Sequence, residues 1–134
     1  ETQPIMMRMQ SNLVAHCLAA IKGELNAEQT DWSPQAAVGV VLAAEGYPAA
    51  YDKGVAINGL SEASTASGKI FQAGTALNGE QIVTAGGRVL CATALGENVT
   101  QAQQAAYQLA AKVDCPKLFY RKDIAYRAIA REAE

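Results

Sequence analysis

The chain has 134 residues, half of them hydrophobic, and a formal net charge of −2. That is the size of one domain with enough apolar content to bury a core, and it excludes an intrinsically disordered chain. The slight acidity argues against a broad phosphate-backbone footprint for nucleic acid, and no apolar run is long enough to span a bilayer.

The chain opens "ETQPIMM", with neither an initiator methionine nor a charged and apolar leader. The expectation is a fragment that begins inside a larger cytoplasmic protein. Residues 4–23 read as one helix, with Pro4 in its first turn and Gly23 at its end. Met6, Met9, Leu13, Cys17 and Ile21 recur at helical spacing and are expected to form its buried stripe. His16, the only histidine, has no second ligand at metal spacing and reads as structural or surface. The three cysteines, Cys17, Cys91 and Cys115, are far apart and odd in number, which speaks against zinc or a disulfide framework. Cys17 and Cys91 sit among apolar neighbours and read as small core residues.

"NAEQTDWSP" (26–34) is a polar connector in which Trp32 is expected to plug the edge of the core. "AAVGVVLAAE" reads as a buried strand, followed by the rigid aromatic loop "GYPAAYDKG" (46–54). "VAINGL", "KIFQAGTAL", "EQIVTA" and "GRVLCATALG" follow as β-leaning runs, with Asn78 and Gly79 as a hairpin signal. The middle section is therefore expected to be antiparallel. A second helix is expected next: Asn98 and Gln101 resemble a capping box, and Val99, Ala102, Ala106, Leu109 and Val113 form its apolar stripe. The tail begins apolar and ends charged. Helix, many strands, helix and tail make an α+β class without alternating β-α-β units.

Two segments are candidates for chemistry. In "TAGGRVL" (84–90), Gly86 and Gly87 precede Arg88 at the start of an apolar strand. The forked guanidinium suits a phosphate or carboxylate, and a glycine hairpin with a solvated arginine is the competing reading. "YRKDIAYR" (120–127) carries Arg121, Lys122, Asp123 and Arg127. It reads either as an anion site or as a solvated salt-bridge face, and Asp52 with Lys53 reads the same way. There is no P-loop, and neither a catalytic triad nor a carboxylate pair stands out. Lys53, Lys69 and Lys122 lack the context of a modified carrier lysine.

Several blocks in register carry a resemblance: "ETQPIMMRMQSNLV", "GVVLAAEGYPAAYDKG", "KIFQAGTAL", "VTAGGRVLCATALG", "AQQAAYQLA" and "FYRKDIAYRAIARE". Together they resemble the C-terminal segment of the phosphoribosylamine–glycine ligases, ATP-grasp enzymes also called glycinamide ribonucleotide synthetases. Glu1, Thr2 and Gln3 resemble the end of that family's F-G-D-P-E-T-Q signature. The chain departs from the family pattern at Ala49 and Ala125, where glycine is usual, and at Gln72, where histidine is common.

The resemblance implies an ATP-dependent ligase of purine biosynthesis joining glycine to 5-phosphoribosylamine through a glycyl phosphate. The alternatives are another ATP-grasp ligase or carboxylase, or a non-catalytic binding module. It implies that residues 1–33 end the ATP-grasp body, and that residues 34–134 form a barrel-sandwich-hybrid-like β domain with a packed helix. Substrate-binding residues would be Glu1, Gln3, Gly86, Gly87 and Arg88, with Tyr47, Pro48, Lys122 and Asp123 as possible cleft wall. The implied partners are glycine, 5-phosphoribosylamine, ATP and the rest of the ATP-grasp body, with neither nucleic acid nor membrane. ATP and Mg2+ (or Mn2+) would be held by parts of a complete enzyme upstream of Glu1, leaving this segment without a complete active site.

Overall fold

The computed structural model describes residues 1–27, 29–61, 63 and 67–133. One residue of the 26–34 connector and the last residue of the tail lie outside them.

The N-terminal region is not one helix. It divides into α1 (Thr2–Arg8) and α2 (Leu13–Lys22). Pro4 is tolerated in the first turn of α1 because its missing N–H would have no intrahelical acceptor there. The break at 9–12 has a long-range cause. Gln10 N–H donates to Asp31 O (2.9 Å), Ser33 N–H donates to Arg8 O (2.7 Å), and Met9 bridges Trp32. Arg8 reinforces the join by donating Nε and Nη2 to Ser33 O. A new helix then starts at Asn12, whose side chain accepts from Val14 N–H (2.9 Å), and ends at Gly23 in the left-handed region (φ 75°).

The expected buried stripe of this region is wrong. Met6, Leu13 and Cys17 are exposed, and Ile21 is 83% exposed, whereas α2 buries His16 and Ala19. His16 is structural, with Nε2 hydrogen-bonded to Ser11 Oγ (3.0 Å). Trp32 does not plug the core either: it bridges Met9 and is 46% exposed. The physical reason is that this chain offers α2 little to pack on. Of the two N-terminal helices, α1 is the one packed extensively on the sheet, with the Pro4 ring set against Gly39.

Two antiparallel sheets follow. β1 (Ala36–Ala44) pairs with β5 (Arg88–Gly96) from Ala36↔Gly96 to Ala43↔Arg88. β2 (Gly68–Gln72) lies on the far side of β5, and β6 (Leu118–Phe119) on the far side of β1, giving the order β2-β5-β1-β6. β3 (Thr75–Asn78) and β4 (Gln81–Thr84) form a separate hairpin whose turn uses Gly79 at φ 62°. The run 69–77 is thus two strands, divided where Gly74 packs backbone to backbone on Gly86. Residues 55–60 are not a strand. They make only isolated bridges, Ala56 to Val83 and Asn58 to Asp114.

α3 (Val99–Ala111) covers one face of the larger sheet, as its stripe predicts. Ala102, Ala106 and Leu109 are buried against a cluster that includes Val38, Val40, Leu42, Leu90, Ala92 and Ala94, with Val99 and Val113 at its margin. Small residues let the helix lie close. A Cβ on Gly96 would stand 2.9 Å from Ala102 Cα, so glycine is required where strand and helix start meet. Asn98 caps Gln101 N–H (2.9 Å), while Gln101 reaches back to Glu97 N–H rather than to that of Asn98. α4 (Tyr126–Glu132) closes the chain, and its Glu132 carboxylate accepts from Val99 N–H, tying it to the start of α3. The fold is mixed helix and antiparallel sheet with four α-helices among the described residues. None of these helices is long and apolar enough to cross a membrane.

Candidate functional site

Alternation along β1 sends Val38, Val40 and Leu42 toward α3 and leaves Gly39, Val41 and Ala43 on the opposite face. That face carries a groove of about 240 Å³ lined by those three residues and by Tyr47, Arg88, Phe119, Tyr120, Arg121 and Ile124. It is the place where the two sequence candidates, the Gly-Gly-Arg segment and the basic tail, come together.

Arg88 is aimed by an irregularity in the ladder. Leu42 pairs with Leu90, but the next β1 residue, Ala43, pairs with Arg88, leaving Val89 without an opposite residue. Such a bulge redirects one side chain. Val89 is fully buried, and Arg88 is exposed at the groove. Among the described residues Arg88 makes no ion pair or side-chain hydrogen bond.

The glycines before it are not a hairpin, because β4 and β5 belong to different sheets. Both are engaged by packing. Gly86 lies against Gly74, whose carbonyl accepts from both Ala85 N–H (2.7 Å) and Gly86 N–H (3.0 Å). Gly87 lies under the Tyr47 ring, with a hypothetical Cβ only 2.5 Å from Tyr47 Cε2, and its carbonyl accepts from Ala44 N–H. Tyr47 is further set by an edge contact to Tyr51 (centroids 6.1 Å apart). The loop 46–54 therefore supplies one aromatic wall of the groove, while Pro48, joined to Tyr47 by a cis peptide bond, does not line it.

The basic tail contributes Arg121 and not Lys122. β6 ends at Phe119, and Phe119, Tyr120, Arg121 and Ile124 all line the groove, so strand alternation does not single out Arg121 and no local sequence signal does. Asp123 lies outside the groove lining but holds Arg121 in a fork: Nε donates to Oδ1 (2.9 Å) and Nη2 to Oδ2 (2.6 Å). That hydrogen-bonded pairing raises the Arg121 pKa and lowers that of Asp123. Lys117 makes exposed ion pairs with Glu45 (3.4 Å) and Asp52 (4.0 Å), a solvated face of the kind that contributes little.

Glu1 and Gln3 do not line the groove, although Pro4, next to Gln3, abuts its Gly39. Gln72 accepts a hydrogen bond from Thr75 Oγ1 and takes no part in the groove. Among the described residues, no group of three or more His, Cys, Asp or Glu side chains could hold a metal ion. The groove sets two guanidiniums among apolar and aromatic side chains, an arrangement whose charge suits an anion.

The family described as phosphoribosylglycinamide synthetase, C domain, matches residues 37–127. The chain is 57% identical over its whole length to a phosphoribosylamine–glycine ligase of Vibrio vulnificus. It is 58% identical over 98% of its length to the proteins of that name in Vibrio cholerae and Pseudomonas aeruginosa. It spans 31% of the length of each of these relatives. The crystal structure of the phosphoribosylamine–glycine ligase from Thermotoga maritima superposes with a TM-score of 0.64 at 36% identity, covering 81% of this chain and 27% of that one. The chain belongs to the phosphoribosylglycinamide synthetase C-domain family.

Proposed function

We propose that the chain is the C-terminal part of an ATP-dependent ligase that joins glycine to 5-phosphoribosylamine in purine biosynthesis. In that reaction the glycine carboxylate takes a phosphoryl group from ATP, and the sugar-phosphate amine displaces phosphate from the acyl phosphate. The observation that carries the reading is the 57% identity across the entire chain to a protein of that name. ATP and Mg2+ (or Mn2+) belong, in this reading, to the remainder of a longer enzyme, and no step is routed through them in this chain.

Within the reading, residues 1–33 are the end of the ATP-grasp body and residues 34–134 the barrel-sandwich-hybrid-like domain. Supporting this division, the family match begins only at residue 37, and the exposed apolar residues Leu13, Val14, Leu18 and Ile21 crowd onto α2. The sheet face bearing Arg88 and Tyr47 is read as the wall turned toward substrate, with Gly86 and Gly87 shaping it. In the same reading Glu1, Gln3, Pro48, Lys122 and Asp123, none of which lines the groove, are assigned to its surroundings.

The test is substitution of Arg88 in the full-length enzyme. Arg88→Lys keeps the charge but loses the fork, and is expected to lower turnover more than stability. Arg88→Ala is expected to lower it further, with ATP binding unchanged. Wild-type kinetics in Arg88→Ala would remove Arg88 from the site.

A further inference from the structure

Resting on the ligase reading, we infer that Arg121, held by Asp123, joins Arg88 to form a two-guanidinium site in the aromatic groove that takes the phosphate monoester of a small sugar, rather than the carboxylate of an amino acid. Three observations carry this.

The first is charge. Two arginines line one groove whose other lining is apolar or aromatic, and among the described residues only Arg121 of the two has a carboxylate partner. Two guanidiniums facing one space repel each other unless an anion lies between them. A phosphate monoester carries about −1.5 to −2 charges near neutral pH, and its three oxygens can meet two forks at once. A carboxylate carries a single charge and suits one fork.

The second is size. At about 30 Å³ per water-sized group, the groove's volume of about 240 Å³ holds roughly eight such groups. That is more than glycine fills, and enough for a phosphoryl group with much of a pentose ring against Tyr47 and Phe119.

The third is preorganisation. Asp123 engages Nε and Nη2 of Arg121, which leaves Nη1 free of any hydrogen bond among the described residues. The backbone behind it is tethered to α3: Tyr107 Oη donates to Arg121 O (2.7 Å) and accepts from Ile124 N–H (3.0 Å), and Gln103 Nε2 donates to Ile124 O (2.8 Å). On the other wall the β1–β5 bulge fixes where Arg88 starts. Groups held in place before binding lose little freedom when an anion arrives. Asp123 is thus a positioning residue, and Arg121 and Arg88 are the contacts.

Full-length enzyme titrated with ribose 5-phosphate, an unreactive probe, tests the site apart from turnover. Wild type is expected to bind the probe, more weakly as salt rises, and to ignore ribose. Arg88→Ala and Arg121→Ala are each expected to weaken binding about tenfold or more, the usual loss for a charge-assisted contact. In kinetics, Arg121→Ala should raise KM for phosphoribosylamine while KM for glycine stays near wild type. Asp123→Asn should cost severalfold in probe affinity, with recovery in Asp123→Glu. Unchanged probe affinity in Arg121→Ala, or a rise confined to the glycine KM, overturns the site. Probe binding that responds to both arginines in an enzyme without ligase activity would sink the ligase reading and leave the anion site standing. Normal ligase activity with unresponsive probe binding would do the reverse.

Discussion

Ala125→Gly is expected to stabilise the chain, although it deletes a methyl group. Ala125 is the only non-glycine with positive φ among the described residues (φ 67°, ψ 5°). It stands at the start of α4, where its carbonyl accepts from Ala128 N–H and Ile129 N–H (both 3.0 Å), so the helix holds it in that conformation. A left-handed non-glycine residue costs about 1–2 kcal/mol, and an alanine cap offers no side-chain acceptor. Against the relief stand about 0.4–1 kcal/mol for the freer unfolded chain and a few tenths for a half-buried methyl. The net is a gain of about 0.5 kcal/mol, or roughly 2 °C in melting temperature for a domain of this size. Ala128→Gly, three residues on in the same helix, has no strain to release and is expected to lose about 1 kcal/mol, or roughly 4 °C. Calorimetry on the two variants decides the matter. A fall in Ala125→Gly matching that in Ala128→Gly would refute the strain argument.

Leu109→Asp places a carboxylate where a side chain 3% exposed now meets the sheet, and is expected to cost about 3–5 kcal/mol or more. A melting curve by circular dichroism superposable on wild type would mean that α3 presents another face. The Arg121–Asp123 pair gives a pH prediction of definite sign. Because hydrogen bonding from Arg121 lowers the Asp123 pKa, the pair favours the folded chain above the ordinary carboxylate range and is lost as pH falls through the lowered value. Titration of the Asp123 carboxyl carbon by NMR should therefore show a midpoint below that of free aspartate, returning upward in Arg121→Ala. Equal midpoints in the two proteins would mean that the fork does not persist in solution.

Elements set by local periodicity were legible in the sequence, and those set by distant contacts were not. The α3 stripe of Val99, Ala102, Ala106, Leu109 and Val113 needs only helical spacing, and Asn78 with Gly79 marks its hairpin within a few residues. The helix break at 9–12 depends on residues 31–33, more than twenty positions away, so the unbroken apolar spacing of Met6 to Ile21 misleads. That spacing describes a face which this chain leaves uncovered. Arg88 was legible as a candidate because glycines mark it, yet the glycines serve packing against Gly74 and Tyr47. Arg121 was less visible than Lys122 and Asp123, since all three are charged neighbours beyond the end of β6 and no local periodicity separates them. The left-handed backbone at Ala125 left its trace as a departure from the family's glycine, not as a local signal.

The facing glycines at 74 and 86 make one position of the chain answerable to another. A Cβ on Gly74 would stand 2.7 Å from both Gly86 Cα and Arg88 O, and a Cβ on Gly86 would stand 3.0 Å from Gly74 Cα, so both alanines call for a separation of the backbones at 74 and 86, with Gly74 facing the Arg88 carbonyl besides. Once the first substitution has forced that separation, the second meets less resistance. The two costs are therefore subadditive, and their coupling in a double-mutant cycle measures how stiffly the β2–β3 turn is pressed onto the segment leading to Arg88. Such coupling also links the substitutions each site can accept. A lineage that keeps glycine at one position gains little by relaxing the other, and one that loses a glycine has already removed much of the constraint on its partner.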